Sequence, residues 1–425
     1  MIILLLGLLL LFFAINMSVA FAIAAACLAY ILCTPYLPIA TAAHTIAGSM
    51  DSFLMLALPM FLLTAQLANN GSTTVRIFDF ARSLVGWIPG GIGHVNVVTS
   101  VIFAGMSGTA TADTGGPGFM ETEAMKKQGF DGPFSCAVTV ASSTVGPIIP
   151  PSVPMVIYAY IAGASVGTLF MAGLVPGLLM AGAMMVIVYW ISVRRNYPRD
   201  DKINLHEIFV KLKCSFWALM TPVILLGSIY GGICTPTEAA AISTTYILIV
   251  ELFVYKDLKL AEIPRILAET AVQIGVVMLI FGSAFMFAWI LGREGIPEMI
   301  TTAVLNFSSN KTFLLLGILL LVLVGGCFME GVSLMIILLP VFLPIVNKIG
   351  IDLVHFGVFL TLGITLGVMT PPFGMCLFVI SSLTGESIGA ITRELVPFLV
   401  VLVIVLLMVT FLPGISLFLP RLLGV

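Results

Sequence analysis

The sequence predicts an all-α polytopic membrane protein built from two inverted repeats, each with a re-entrant hairpin and a discontinuous helix. Three observations predict it. The first is composition: of 425 residues, 60% are hydrophobic and only 9% charged, against about 25% charged in a soluble domain. The second is the set of charge-free runs. Residues 132–193, 214–237, 270–292, 353–385 and 395–420 contain no Asp, Glu, Lys or Arg. A helix of about 20 apolar residues spans a bilayer, whereas a membrane β-strand would alternate apolar and polar residues. The third is a repeat of backbone-breaking residues along the chain. A water-soluble enzyme is excluded, and a net charge of −2 gives no sign of a nucleic-acid partner.

Taken in order, membrane-spanning material is expected at 2–33, 51–69, 93–126, 133–162, 166–193, 213–233, 237–255, 266–291, 312–347, 352–383 and 393–419. Residues 2–33 cross once or form two short helices, and with no basic start or clear cleavage site they are read as a retained segment. Segments 93–126 and 312–347 are too long for one upright span and are interrupted midway, so they are read as re-entrant hairpins. Segments 133–162 and 352–383 are broken by Gly and Pro–Pro. Residues 70–90 and 292–310 carry charges and read as interfacial arms.

With both hairpins leaving on the side they entered, fourteen of the eighteen Lys and Arg share one side. These include Arg76, Arg82, Lys126, Lys127, the run Arg194, Arg195, Arg199, Lys202, Lys211 and Lys213, and Arg265. The positive-inside rule makes that side cytoplasmic. The run 194–213 is a solvated loop that sets topology, or also touches lipid headgroups.

A shift of 221 residues aligns the punctuation without gaps. Gly105 meets Gly326, Gly129 and Asp131 meet Gly350 and Asp352, Thr144 and Gly146 meet Thr365 and Gly367, and Pro150–Pro151 meets Pro371–Pro372. These residue types set backbone breaks. Because the hairpins enter from opposite sides, the copies are inverted, the arrangement of secondary transporters with a site between paired broken helices.

The chemistry is expected at those breaks. Unwound backbone at membrane depth exposes carbonyls that need a partner, and a Na+ ion held by several oxygens is one. Site 1 is expected at Gly105, Ser107, Gly108, Thr144, Gly146, Ile149 and Pro150. Site 2 is expected at Gly325, Gly326, Cys327, Gly331, Thr365, Gly367 and Thr370, with fewer hydroxyls. An organic anion would lie beside them, contacted by Ser107, Thr109, Thr111, Ser143, Ser152 and Glu330. Intramembrane carboxylates are functional by default. Glu330 therefore reads as an ion or gating group, or as a cap on its own hairpin tip. Asp113 reads as functional, or as a group that reaches water. Glu238, after Thr235-Pro236-Thr237, reads as a helix-start cap.

Four scattered histidines without HExxH give no metal site. The seven cysteines sit mostly in apolar stretches as small buried residues. No GxSxG or GxxxxGK motif is present, so no enzyme activity and no cofactor beyond a coupling Na+ is expected.

The motifs Gly105-Met-Ser107-Gly108-Thr109-Ala-Thr111-Ala-Asp113, Gly146-Pro-Ile-Ile-Pro-Pro-Ser152 and Gly231-Gly-Ile-Cys-Thr-Pro-Thr-Glu-Ala-Ala-Ala241, in this order, resemble the large membrane subunit of TRAP transporters, the DctM type. The resemblance covers essentially the whole chain. It implies a multi-pass protein of the bacterial inner membrane, paired with a small four-helix TRAP membrane subunit. It also implies an organic acid delivered by a periplasmic substrate-binding protein and imported with Na+, by an elevator-type transport domain moving against a scaffold. Members that carry sialic acid resemble the sequence closely, and the family also carries C4-dicarboxylates. A Na+-pumping decarboxylase-type membrane subunit is the alternative from another class.

On this reading residues 1–69 are scaffold helices and 70–92 an arm. Residues 93–193 are the first hairpin, discontinuous helix and following span. Residues 194–265 are the basic loop and connecting scaffold helices, 266–311 a scaffold span and second arm, and 312–425 the second hairpin, discontinuous helix and final span. No Lys or Arg falls at the expected site, so the clamp for the carboxylate is unassigned.

Overall fold

The computed structural model describes residues 1–15, 17–200, 203–308, 310–372 and 374–424. Lys202, counted above among the cytoplasmic charges, lies outside them. Every regular element among the described residues is helical.

The chain opens with α1 (Ile2–Ala14), α2 (Val19–Cys33), α3 (Ala40–Met50) and α4 (Ala57–Asn70). Residues 2–33 thus form two helices. The sequence reading placed no element at 34–50. Helix α3 there is small-residue-rich and has no long apolar run, the feature that marks a span. Arm α5 (Thr73–Val85) follows.

The first hairpin is α6 (Gly91–Ser107) descending, then α7 (Ala110–Gly115) and α8 (Pro117–Lys127) returning. Next come α9 (Gly132–Ser143) and α10 (Val153–Ala162), the two halves of a broken helix, and the span α11 (Val166–Arg195). The connecting helices are α12 (Leu205–Tyr230) and α13 (Pro236–Ile249), the latter continued by a π turn at Val250–Tyr255. Thr235 and Glu238 form a capping box at the start of α13, so the capping reading of Glu238 is the one the geometry shows.

The second half runs α14 (Ile263–Arg293), arm α15 (Ile296–Phe307), hairpin α16 (Lys311–Gly326) and α17 (Gly331–Lys348), broken halves α18 (Leu353–Met369) and α19 (Met375–Thr384), α20 (Ile388–Phe411) and α21 (Pro413–Leu422). The expected single span at 393–419 is therefore two helices. Pro413 supplies no backbone N–H, and the residue before a proline is disfavoured in helical conformation.

The repeat holds element by element. Helices α6, α7, α9, α10 and α11 begin at 91, 110, 132, 153 and 166; α16, α17, α18, α19 and α20 begin at 311, 331, 353, 375 and 388. Packing is exchanged as a two-fold axis would exchange it. Returning arm α7 packs on α19, and returning arm α17 packs on α10. Asp131 and Asp352 stand at equivalent N-caps of α9 and α18, and Pro150–Pro151 and Pro371–Pro372 are both cis.

The copies differ at the break. Helix α9 stops at Ser143, whereas α18 continues to Met369. Pro147 follows α9 closely, and its counterpart at the 221-residue offset is Val368. A proline there removes a donor and clashes with the preceding turn; valine lets α18 run on until Pro371. Thr365 and Gly367, expected in an unwound break, are therefore helical.

Helices α2, α3, α4 and α13 gather around α14 and each other, while α9, α11, α18, α20 and α21 pack together with the hairpins. Among the described residues seven helices are long and apolar enough to cross a membrane, α11, α12, α14, α17 and α20 among them. Arm α5 is fastened by charge. Lys211 Nζ lies 2.6 Å from Asp79, Arg82 makes two 2.7 Å bonds to Asp200, and Arg76 reaches Asp257 at 3.3 Å. The Ser72 hydroxyl and the Arg76 guanidinium hold the Asp257 carboxyl below the usual carboxylate range. At the start of the arm, buried Glu251 accepts from Ser72 N at 3.2 Å and Thr73 N at 3.0 Å, occupying amides that a helix start leaves free.

Candidate functional site

The first hairpin turns at Gly108 and Thr109. Gly108 has φ of +66°, and a Cβ on it would fall 2.5 Å from the Pro151 carbonyl oxygen. Only glycine satisfies both conditions. The Gly108 carbonyl accepts from Val153 N at 3.3 Å, tying the tip to the broken helix. Gly146 brings the same two segments together from the other side. A Cβ there would lie 3.2 Å from the Ser143 carbonyl oxygen and 3.3 Å from that of Thr109. Carbonyl oxygens of Ser143, Thr109 and Pro151 thus crowd one junction, joined by the fully buried Ser107. The Ser107 hydroxyl has a long 3.4 Å bond to the Thr109 carbonyl. The Thr109 carbonyl also accepts from Asp113 N at 3.3 Å and that of Ser143 from Gly146 N at 3.1 Å, so these two oxygens have only a second lone pair for anything further.

The second tip, residues 327–330, meets α18 through bare backbone: Gly326 and Gly367 touch Cα to Cα. Its hydroxyls and thiol serve the helices. Thr365 donates to Thr361 O at 2.6 Å, Thr370 to Leu366 O at 2.6 Å, and Cys327 to Leu323 O at 3.2 Å. Gly331 opens α17 against Ile364 and Val368, and Gly325 packs on Leu334. Glu330 is the N-cap of α17. It accepts from Ser333 N at 2.9 Å and from the Ser333 hydroxyl at 3.1 Å through one oxygen.

Between the two tips lies a cavity of 430 Å³, within the usual range of about 300–1,000 Å³ for small-molecule sites. Thr109, Thr111 and Pro147 line it from the first repeat, and Glu330, Gly331 and Thr365 from the second. The remaining wall comes from Leu62 of α4 and Val272, Gln273, Val276 and Val277 of α14. Neither lysine nor arginine lines it.

Of the six residues expected at the substrate, Thr109, Thr111 and Glu330 line this cavity. Ser107, Ser143 and Ser152 do not, because the backbone uses them, Ser107 through the Thr109 carbonyl. Ser143 donates to Val140 O at 2.9 Å and accepts from Thr114 at 2.8 Å. Ser152 caps α10 through Met155 N and donates to the Pro147 carbonyl. Gly105 is the first of the expected ion ligands. It lies inside α6, and a Cβ there would fall 2.6 Å from Pro222 of α12, so its bare surface serves helix packing. Thr144 donates to Ala141 O at 2.6 Å, and the Ile149 side chain packs on Gly177 of α11. Pro150 opens the cis bond within the break.

Sequence reasoning missed Gln273. Gln66 Nε2 donates to Gln273 Oε1 at 3.1 Å, linking α4 to α14 beside the cavity. The signal was present: Gln273 is a lone amide inside the charge-free run 270–292.

Residues 6–415 match the family model described as the tripartite ATP-independent periplasmic transporter, DctM component. The chain belongs to this family. It is a multi-pass inner-membrane transport subunit and not an enzyme. Among relatives of this DctM component, the sialic acid TRAP transporter large permease protein of Vibrio cholerae is 42% identical over 407 residues, covering 96% of this chain and 95% of that one. The C4-dicarboxylate TRAP transporter large permease protein of Pseudomonas aeruginosa is 37% identical over 374 residues, covering 88% of each. The fold is shared with the YdaH transporter of Alcanivorax borkumensis, at a TM-score of 0.64, 13% identity and 87% coverage of both chains.

Proposed function

We propose that this DctM component imports an organic acid by Na+ symport, with sialic acid as the favoured substrate. It would work with a small membrane subunit and a periplasmic binding protein. The observation that carries the reading is the crowd of carbonyl oxygens where Gly108 and Gly146 bring hairpin and broken helix together. Carbonyls released from helical pairing can replace the hydration shell of a small cation. Ser107, Gly108, Thr144 and Gly146 supply that first site. The second, at Gly326, Gly331 and Thr370, relies on backbone.

The acid occupies the cavity between the tips, where Thr109, Thr111 and Gln273 offer neutral donors. With no guanidinium or ammonium on the wall, the charge of the substrate is balanced by the neighbouring Na+. The hairpins, the broken helices, α11 and α20 form the moving transport domain. Helices α1–α4 and α12–α14, with the two arms, form the scaffold. Because α4 and α14 close one side of the cavity, sliding the hairpins past them would change the side from which the acid is reached. Sialic acid is favoured over a C4-dicarboxylate because the Vibrio cholerae relative shares more identity over more of the chain.

The test is uptake by the reconstituted three-component system. Replacing Na+ by K+ should abolish accumulation, and uptake that survives without a Na+ gradient overturns the coupling. Ser107→Ala and Thr109→Val should each weaken uptake severalfold; normal uptake in both removes the first tip from the site. Competition by unlabelled sialic acid but not by a C4-dicarboxylate would fix the substrate class.

A further inference from the structure

The first hairpin holds two carboxyls that neither the ion sites nor the substrate cavity uses. Asp113 of α7 is 2% exposed and Glu121 of α8 is fully buried. Among the described residues none of their four oxygens meets a partner at full hydrogen-bond geometry, and a single hydroxyl stands beside each. Beside Glu121 stands Thr99 of α6, fully buried, and its hydroxyl is also unpartnered. Ser100 stands in the same relation to Asp113.

Among the described residues no cation opposes the pair. The charge acting on Glu121 is that of Asp113. On α19, the Cys376 thiol is the titratable group near Asp113. On α6, buried His94 faces the Pro89 backbone. On α9, Cys136 faces Thr384, near Lys126, Glu123 and Glu386 at the far end of the hairpin.

A carboxylate buried with one hydroxyl beside it and no counter-charge is strongly disfavoured, and such a group is neutralised instead. A like charge nearby deepens the penalty. Neutralisation by a metal cation needs several more oxygens. Around Glu121 only the carboxyl oxygens and the Thr99 hydroxyl are free and no backbone oxygen joins them, because α6 runs unbroken from Gly91 to Ser107 and α8 from Pro117 to Lys127. Their carbonyls are spent on helical bonds. A proton needs only one oxygen.

We propose that Glu121, with Asp113 beside it, is a proton-binding site distinct from the ion and substrate sites, holding Glu121 as a neutral carboxylic acid at physiological pH. The hairpin then moves through the membrane without that charge. Alkaline conditions that ionise Glu121 place an uncompensated charge inside the hairpin and slow transport.

Infrared spectroscopy of the reconstituted complex reads the proton directly. The wild type should show a protonated-carboxyl C=O band at neutral pH that shifts in D2O, with or without Na+. Glu121→Gln should lose this band, and Glu121→Asp should move it. Uptake by the wild type should fall as pH rises, and Glu121→Gln should lack that fall. Absence of any protonated-carboxyl band in the wild type overturns the proposal, whether or not the variants fold. So does a Glu121→Gln protein that keeps the band, or one that binds substrate but no longer responds to Na+. The band does not depend on Na+ coupling, so failure of the symport reading leaves this test intact.

Discussion

Gly326 and Gly367 meet backbone to backbone. A Cβ on Gly367 would lie 2.5 Å from the Gly326 Cα, and one on Gly326 would lie 2.8 Å from the Gly367 Cα. The second hairpin tip therefore sits on its discontinuous helix with no side chain between them. Nothing flexible can yield there.

Gly367→Ala should destabilise the protein by about 1–3 kcal/mol, the usual cost of overpacking, and should weaken Na+-dependent uptake. Gly182→Ala is the control. Gly182 has nothing within 4 Å of its virtual Cβ, and alanine in an exposed helix interior gains up to about 1 kcal/mol. Thermal midpoints of the two variants in one detergent measure this. Equal midpoints would show that the tips are not in close contact.

Gly108 and Gly163 separate conformational strain from close approach. Both have positive φ, but a Cβ on Gly163 meets nothing within 4 Å, whereas one on Gly108 meets the Pro151 carbonyl. Alanine at Gly163 should cost only about 1–2 kcal/mol for the left-handed backbone. Alanine at Gly108 should cost more and also open the first ion site. The readout is Na+ affinity beside thermal stability, and Gly108→Ala should lower both.

Glu330 has two tasks that substitutions divide. Glu330→Ala removes the cap on Ser333 N and should cost about 1 kcal/mol of stability. Glu330→Gln keeps an acceptor oxygen and should leave the thermal midpoint near wild type. Because Glu330 lines the cavity, the loss of charge should still change the apparent KM. A glutamine variant as unstable as the alanine one would contradict the capping geometry.

Gln273 faces the cavity from α14 while its Oε1 is held by Gln66 at 3.1 Å, leaving its amide N–H groups for the substrate. Gln273→Leu should raise KM about two- to tenfold, the worth of one hydrogen bond of about 0.5–1.5 kcal/mol. Gln66→Leu frees the amide to rotate and should raise KM by less. Concentration dependence of uptake distinguishes these, and an unchanged KM in Gln273→Leu would place the substrate away from α14.

The site was partly legible in the chain. Thr109, Thr111 and Glu330, which line the cavity, are legible because hydroxyls and an acid beside glycine breaks stand out in an apolar sequence. Ser143 and Ser152 stood out in the same way, yet the backbone takes their hydroxyls, and composition does not reveal which hydroxyls are already engaged. Gly105 also packs on Pro222, which the chain does not announce, because a glycine that admits a neighbouring helix reads the same as one that permits a turn. Glu121 was passed over because α8 carries Glu123, Lys126 and Lys127 as well, and its lack of partners exists only in three dimensions.

The amino-acid order by itself determined the class, the repeat and the places where helices stop. Long uncharged runs leave the chain no solvent but lipid. Glycine and proline act on the backbone of their own segment, so their effects are written locally. Only the tertiary structure decided that α7 leans on α19 and α17 on α10, that α14 closes the cavity with Gln273, and that Asp113 and Glu121 lie without a counter-charge. Those relations join residues distant along the chain, and close packing and burial, which set their energies, arise only once the helices are assembled.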